Sequence, residues 1–182
     1  MYSQTLSDFM KKQSLISFFI VCVLLESLSS CYTSKIYIVR HGERLDQSED
    51  TPLSPAGLQR AKALAENLGK ENIDSIFVSK YQRNRQTAQP LVDLLGKQYA
   101  IYEPKPIRVI VNRLNHLKGK NALVVGHSDT IIEIAQGLGT RPSLPKIESS
   151  DYDNLYFVTI KKTLFGRTAT LIESTYGVKT LP

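Results

Sequence analysis

Two apolar runs in this chain each deliver a histidine beside a glycine, and that repetition constrains the fold more than any other feature. The first is Tyr37-Ile38-Val39-Arg40-His41-Gly42-Glu43 and the second is Ala122-Leu123-Val124-Val125-Gly126-His127-Ser128. Neither run alternates polar with apolar residues, as a strand buried on both faces should not. Such strands occur in parallel sheets covered by helices on both sides. In those sheets the carboxyl ends of the strands line the ligand crevice. Both histidines therefore belong at one edge of one sheet. Arg40 adds a fixed positive charge there, suited to a phosphate held while an imidazole attacks it.

The rest of the pattern agrees. Lys35 to Arg40 reads as a strand and Arg44 to Pro52 as a polar loop. Ser54-Pro55 supplies an N-cap and a proline at the first helical position. Leu58, Ala61, Leu64, Ala65 and Leu68 follow at helical spacing, and Gly69 ends the helix. Asp74 to Val78 is a strand, Arg83 to Leu95 a helix, and Tyr99 to Tyr102 a short strand. Pro106 to Leu117 is a helix, Asn121 to Val125 a strand, and Thr130 to Leu138 a helix closed by Gly139. Gly139 to Ser150 is the one long loop. Strands near Leu155 to Lys161 and Thr168 to Ser174 follow. The predicted class is α/β, three layers αβα, with a mostly parallel central sheet.

The first 30 residues read differently. Lys11 and Lys12 precede Leu15 to Leu25, an almost wholly apolar stretch of 11 residues. A spanning helix needs about 20, whereas the core of a secretory signal is this short. Leu28-Ser29-Ser30-Cys31 then resembles the lipobox of bacterial lipoproteins. The expectation is a signal in residues 1–30, cleavage before a lipidated Cys31, and one domain over residues 31–182. Met10 is as good a start as Met1. The membrane partner expected is a lipid anchor, in a bacterial envelope and facing the periplasm. Cys22 falls within the signal and Cys31 carries the lipid, and the chain has only these two cysteines. The domain is thus left without a disulfide or cysteine-based metal site.

Net charge is +6, and removal of Asp8, Lys11, Lys12 and Glu26 leaves it unchanged. The basic residues look scattered along the sequence and are not interleaved with aromatic residues. A nucleic-acid partner is therefore not expected.

Four positions now stand together: Arg40, His41, Arg83 and His127. With Leu53-Ser54-Pro55-Ala56-Gly57-Leu58-Gln59-Arg60-Ala61, Ser79 and Arg83-Asn84-Arg85-Gln86-Thr87-Ala88, they resemble the histidine phosphatase superfamily, in its phosphoglycerate mutase-like branch. The resemblance covers about Lys35 to Leu138. It implies that His41 is a nucleophile forming a phosphohistidine, and that Arg40 and Arg83 bind phosphoryl oxygens. It implies that His127 donates to the transferring group, and that no metal or other cofactor is required. Glu43 and Ser54 fall on motif positions that support the pocket, although Ser54 also serves as an N-cap. Gln47 stands where the family often has a phosphate-binding Asn. Arg85 and His116 read as surface. The general acid that the family places on a carboxylate has no recognisable motif here. Glu103 is the first candidate and Asp129 the second.

The function implied is a phosphomonoesterase acting on a small phosphorylated substrate in the cell envelope. The alternatives are a phosphoglycerate mutase-type phosphotransferase and a non-catalytic protein that binds phosphorylated ligands.

Overall fold

The computed structural model describes residues 11–18 and 31–180. Residues 11–18 are helical and exposed. The residues expected to form the rest of the signal, apart from Cys31, lie outside the described set. Cys31 itself is exposed and its thiol is free. Among the described residues no helix is long and apolar enough to cross a membrane.

From there strands and helices alternate. They are β1 (Tyr32–Arg40), α1 (Pro55–Leu68), β2 (Ile73–Ser79), α2 (Gln82–Leu95), β3 (Tyr99–Tyr102), α3 (Arg108–Asn115), β4 (Asn121–Gly126), α4 (Thr130–Gly137), β5 (Asn154–Thr163) and β6 (Gly166–Thr175). One six-stranded sheet has the order β3-β2-β4-β1-β5-β6. The four strands from β3 to β1 are parallel. The last two form a hairpin that adds antiparallel to β1. The expected αβα class holds, and the two C-terminal strands make the sheet mixed.

Side-chain alternation along the central strands divides the core in two. Ile36 and Ile38 of β1 with Ala122 and Val124 of β4 pack against Ile110, Ile131 and Ile134 of α3 and α4. Tyr37, Val39, Leu123 and Val125 point the other way, to Leu64, Ala65, Ala88 and Leu91 of α1 and α2. Burying each such aliphatic side chain is worth about 1.5–3 kcal/mol. The paired layers therefore fix which residues end at the carboxyl edge.

Helix α1 starts as its sequence dictates. The Ser54 hydroxyl accepts from Gly57 N at 3.2 Å, and Pro55 occupies the first turn. Helix α2 stops at Gly96, which adopts the left-handed conformation with φ 61°. One packing expectation fails. Leu58 was placed on the core face of α1, yet it is exposed, and Arg60 is buried instead. The reason is the carboxylate of Glu43. Arg60 Nη2 sits 2.7 Å from Glu43 Oε1, and its Nε contacts both oxygens at 3.0 Å. The same guanidinium donates to the carbonyls of Tyr176 and Val178 at 2.9 Å. A fully paired arginine can be buried where an unpaired one cannot. It ties the β1–α1 loop to the chain after β6.

Candidate active site

The parallel register of β1 and β4 sets Arg40 opposite Gly126. One residue further on, His41 N donates to Gly126 O at 3.0 Å. The two histidines thus leave neighbouring strands side by side, with ring centroids 5.4 Å apart in an edge-on arrangement. The sheet edge alone does not hold this geometry. Asn84, fully buried in α2, donates through Nδ2 to the carbonyls of Val125 and Gly126 at 3.1 and 3.0 Å. Gly42 N donates to Thr87 Oγ1 at 2.9 Å, and Thr87 donates in turn to Arg83 O at 2.8 Å. Helix α2 therefore clamps the ends of both catalytic strands. On the other side, α1 presses close to the same turn. A Cβ on Gly57 would lie 2.4 Å from Glu43 O, so this approach requires glycine.

The His41 ring is buried, and its Nδ1 lies 2.8 Å from Gly42 O. A carbonyl oxygen only accepts, so Nδ1 carries the proton and Nε2 keeps its lone pair. That is the tautomer a nucleophilic imidazole needs. Burial holds the His41 pKa well below the usual histidine value, helped by the charges of His127, Arg40 and Arg83 and opposed by the Gly42 carbonyl. Burial pushes His127 down to about 4, and Arg83 adds to the effect. Its Nε2 shares a 2.9 Å hydrogen bond with Ser79 Oγ at the end of β2, and its backbone N donates to Thr130 Oγ1 at 2.8 Å.

The arginines flank this pair. Arg40 stacks on Tyr152, with Cζ 3.9 Å from the ring centroid, and Arg83 lies 4.4 Å from the ring of Tyr81. Each spends Nη1 on loop carbonyls. Arg40 reaches Glu148 O and Asp151 O at 2.8 and 2.7 Å, and Arg83 reaches Glu49 O at 2.7 Å. Their Nε atoms are buried without a partner. Buried donors of this kind are normally satisfied. Neither guanidinium forms an ion pair with a carboxylate among the described residues. A tetrahedral oxyanion would supply the missing acceptors and the missing charge.

Beside His127 opens a cleft of about 460 Å³ lined by Lys80, Tyr81, Arg83, Glu103, Pro104, Lys105, Asp129 and Thr130. Both acid candidates are on its wall, and both are exposed. Glu103 lies 3.9 Å from Lys80 and Asp129 lies 3.5 Å from Lys105. Asp129 precedes α4 yet makes no side-chain capping bond, so its carboxylate is not consumed there.

Other expected site residues are elsewhere. Gln47 is exposed in the β1–α1 loop and its amide oxygen accepts from Arg44, away from the cleft lining. Ser54 acts as the N-cap, and Glu43 supports the site through Arg60. Arg85 donates to Lys80 O, and His116 is exposed. Sequence reasoning did not single out Asn84, Thr87, Tyr81 or Tyr152. The first two were within the quoted α2 motif, at positions that share the buried face with Arg83. Nothing in the sequence marked the tyrosines. Among the described residues no group of three His, Cys, Asp or Glu side chains is placed to hold a metal.

The depressed histidine pKa values set a pH signature. Between about pH 4 and pH 6.5 the unfolded chain protonates His127, and the folded chain does not. Stability must therefore fall as pH drops through this window, because the unfolded state binds more protons. The denaturant midpoint is expected to fall between pH 7 and pH 4.5, and His127→Gln should make that fall smaller. An unchanged difference between the two pH values would show that His127 is not held neutral.

The family model of the histidine phosphatase superfamily (branch 1) matches residues 36–104. A protein of Schizosaccharomyces pombe named Probable phosphatase C1687.21 is 30% identical over 105 residues, covering 52% of this chain and 50% of that one. Probable phosphoglycerate mutase GpmB of Serratia proteamaculans is 32% identical over 69 residues, 34% of this chain and 32% of its own. The chain thus spans half or less of the length of these curated relatives. Solved structures match more widely. A mycobacterial glucosyl-3-phosphoglycerate phosphatase superposes with TM-score 0.63 at 14% identity, over 80% of this chain and 100% of its own. The protein histidine phosphatase SixA, complexed with tungstate, gives TM-score 0.59 at 19% identity, over 78% and 96%. At those identities the structures speak for the fold. The sequence likeness to the histidine phosphatase superfamily covers β1 to β3, with relatives named as phosphatases and phosphoglycerate mutases.

Proposed function

We propose that this protein is a phosphomonoesterase that works through a phosphohistidine on His41. The observation that carries the reading is the edge-on pair of neutral imidazoles, flanked by two arginines whose buried Nε donors lack acceptors. The His41 Nε2 lone pair attacks phosphorus. An N–P bond forms as the P–O ester bond breaks, and the leaving oxygen takes a proton from a carboxylic acid on the cleft wall. Water then attacks phosphorus and gives its proton to the carboxylate left by the first step, the N–P bond breaks back onto Nε2, and phosphate leaves with the neutral ring and the carboxylic acid restored. Arg40, Arg83 and the His127 N–H spread charge over the phosphoryl oxygens throughout, which is most of what such a transfer needs.

The substrate class is a small phosphoester, with a phosphohistidine on a protein as the runner-up. The cleft is open and shallow, which suits varied leaving groups. The Serratia proteamaculans relative named as a mutase matches over only a third of its own length. A phosphotransferase would need a second acceptor held in place of water. The sequence of residues 11–31 supports a lipid-anchored, envelope form, and the mass of the native N-terminus checks it. An unmodified Cys31 would remove that part of the proposal.

His41→Ala is expected to abolish hydrolysis of 4-nitrophenyl phosphate, whereas EDTA should leave it unchanged. Denaturing the wild type during turnover should trap an acid-labile phosphoryl group, absent from His41→Ala. Full activity in His41→Ala would rule out the nucleophile.

The acid separates by leaving group. An alkyl phosphate needs a proton on the departing oxygen and a nitrophenyl phosphate barely does. Glu103→Gln should slow alkyl phosphate hydrolysis by roughly 10²-fold, the usual size of a general-acid effect, with far less change for the nitrophenyl ester. If Asp129→Asn shows that selectivity instead, Asp129 is the acid.

A further inference from the structure

The basic residues that look scattered in sequence are gathered in space. Because β1, β2, β3 and β4 are parallel, their amino ends share one edge of the sheet, opposite the candidate active site. Each segment that returns to this edge carries exposed lysine. Lys70 lies between α1 and β2, Lys97 between α2 and β3, and Lys118 and Lys120 between α3 and β4. Lys161 and Lys162 join them from β5, opposite Thr33 and Tyr32 at the start of β1. The two carboxylates nearby are occupied. Glu71 is held by Lys35 at 3.3 Å and by the Tyr37 hydroxyl, and Asp74 accepts from Asn121 N at 2.8 Å.

At the same edge the β5–β6 hairpin turns through Leu164 and Phe165. Phe165 is 99% exposed and Leu164 55%. A single exposed apolar residue is ordinary, but an exposed apolar pair at the end of a lysine-rich sheet edge is the composition of a surface that enters a lipid interface. A third observation fixes the direction. The chain enters the domain at this edge, since Tyr32 pairs with Lys162 one residue from the hairpin turn. Cys31, the residue expected to carry the lipid, is exposed immediately ahead of Tyr32.

We propose that this edge, with Leu164 and Phe165 at the tip and the six lysines around them, lies against an anionic lipid surface. The occupant is the bilayer that a lipid on Cys31, the residue just before β1, would hold against this edge, a step that rests on the lipid-anchored reading. Each lysine near such a surface adds attraction, and of the carboxylates at this edge Glu71 is already ion-paired with Lys35. The orientation has a consequence for the substrate, resting on the phosphatase reading. Strand β1 spans nine residues, so the end of the sheet that carries His41 and the cleft beside His127 stands about 26 Å above the lipid-facing edge. It opens away from the bilayer and serves soluble phosphoesters, not the headgroups of the membrane beneath.

The test uses the full chain, which contains no tryptophan. Phe165→Trp places one reporter at the hairpin tip, and Leu45→Trp places one on the loop at the opposite end, where Leu45 is 57% exposed. The proteins are added to vesicles of phosphatidylcholine alone or with phosphatidylglycerol. The expected result is a blue shift at position 165, quenched by brominated acyl chains and larger with the anionic lipid, and no shift at position 45. A shift at position 45, none at position 165, or an equal shift in zwitterionic vesicles overturns the proposal. So does a blue shift without vesicles that grows with protein concentration, because a second copy would then cover the patch. The fluorescence needs no turnover, so it stands or falls apart from the phosphatase reading. If the enzyme is active, vesicle-bound protein should hydrolyse 4-nitrophenyl phosphate and spare phosphatidic acid in the same bilayer. Cleavage of that lipid would overturn the stand-off.

Discussion

The site depends on one pairing, the parallel register of β1 with β4. It sets Arg40 opposite Gly126 and brings His41 N within 3.0 Å of Gly126 O. Every other part of the site is positioned by reference to this joint. Asn84 caps the carbonyls of Val125 and Gly126, Thr87 receives the Gly42 amide, and Arg83 is carried on the same face of the same helix. A slip of one residue in β1 would reverse Ile36 and Ile38 with Tyr37 and Val39, exchanging the contents of two packed layers. The apolar core therefore enforces the register, and the register enforces the chemistry.

The electrostatics follow from the same compression. Two imidazoles and two guanidinium groups share a partly dry space, and among the described residues no carboxylate forms an ion pair with either arginine. Burial alone favours the neutral rings, and the arginine charges push the same way. The result is two neutral rings beside two fixed cations, held by the stacking of Arg40 on Tyr152 and of Arg83 on Tyr81. On the proposed phosphatase reading, a phosphate would supply acceptors to the unpartnered Nε donors.

Legibility in the sequence tracked how local each cause was. Strand ends, caps and the His41 and His127 positions were readable because apolar runs, Ser54-Pro55 and Gly96 act over a few residues. Arg60 was not readable, because its burial depends on Glu43 seventeen residues away in the chain and on carbonyls beyond β6. Leu58 was misplaced for the same reason, since the paired arginine took the inward position. Gln47 matched a motif position by spacing, but the loop carries it outward to Arg44. The acid stayed ambiguous because Glu103 and Asp129 reach one cleft from different connections, after β3 and after β4.

Charge shows the same contrast between chain and fold. The net +6 looks unremarkable when lysines are read in order, because the basic residues of the N-terminal edge are spread over several segments of the chain. Parallel topology makes those connections neighbours, since every helix returns the chain to the same side of the sheet. It places the strand ends that carry Arg40, His41, Ser79 and His127 on the opposite side. One topological rule thus separates the molecule into an end that carries the two histidines and a lysine-rich end. The hairpin then adds Leu164 and Phe165 to the second end alone. Were the basic residues needed only for solubility, both ends would serve equally. The mixed charge around the cleft, where Lys80 meets Glu103 and Lys105 meets Asp129, contrasts with the nearly unopposed lysines of the far edge.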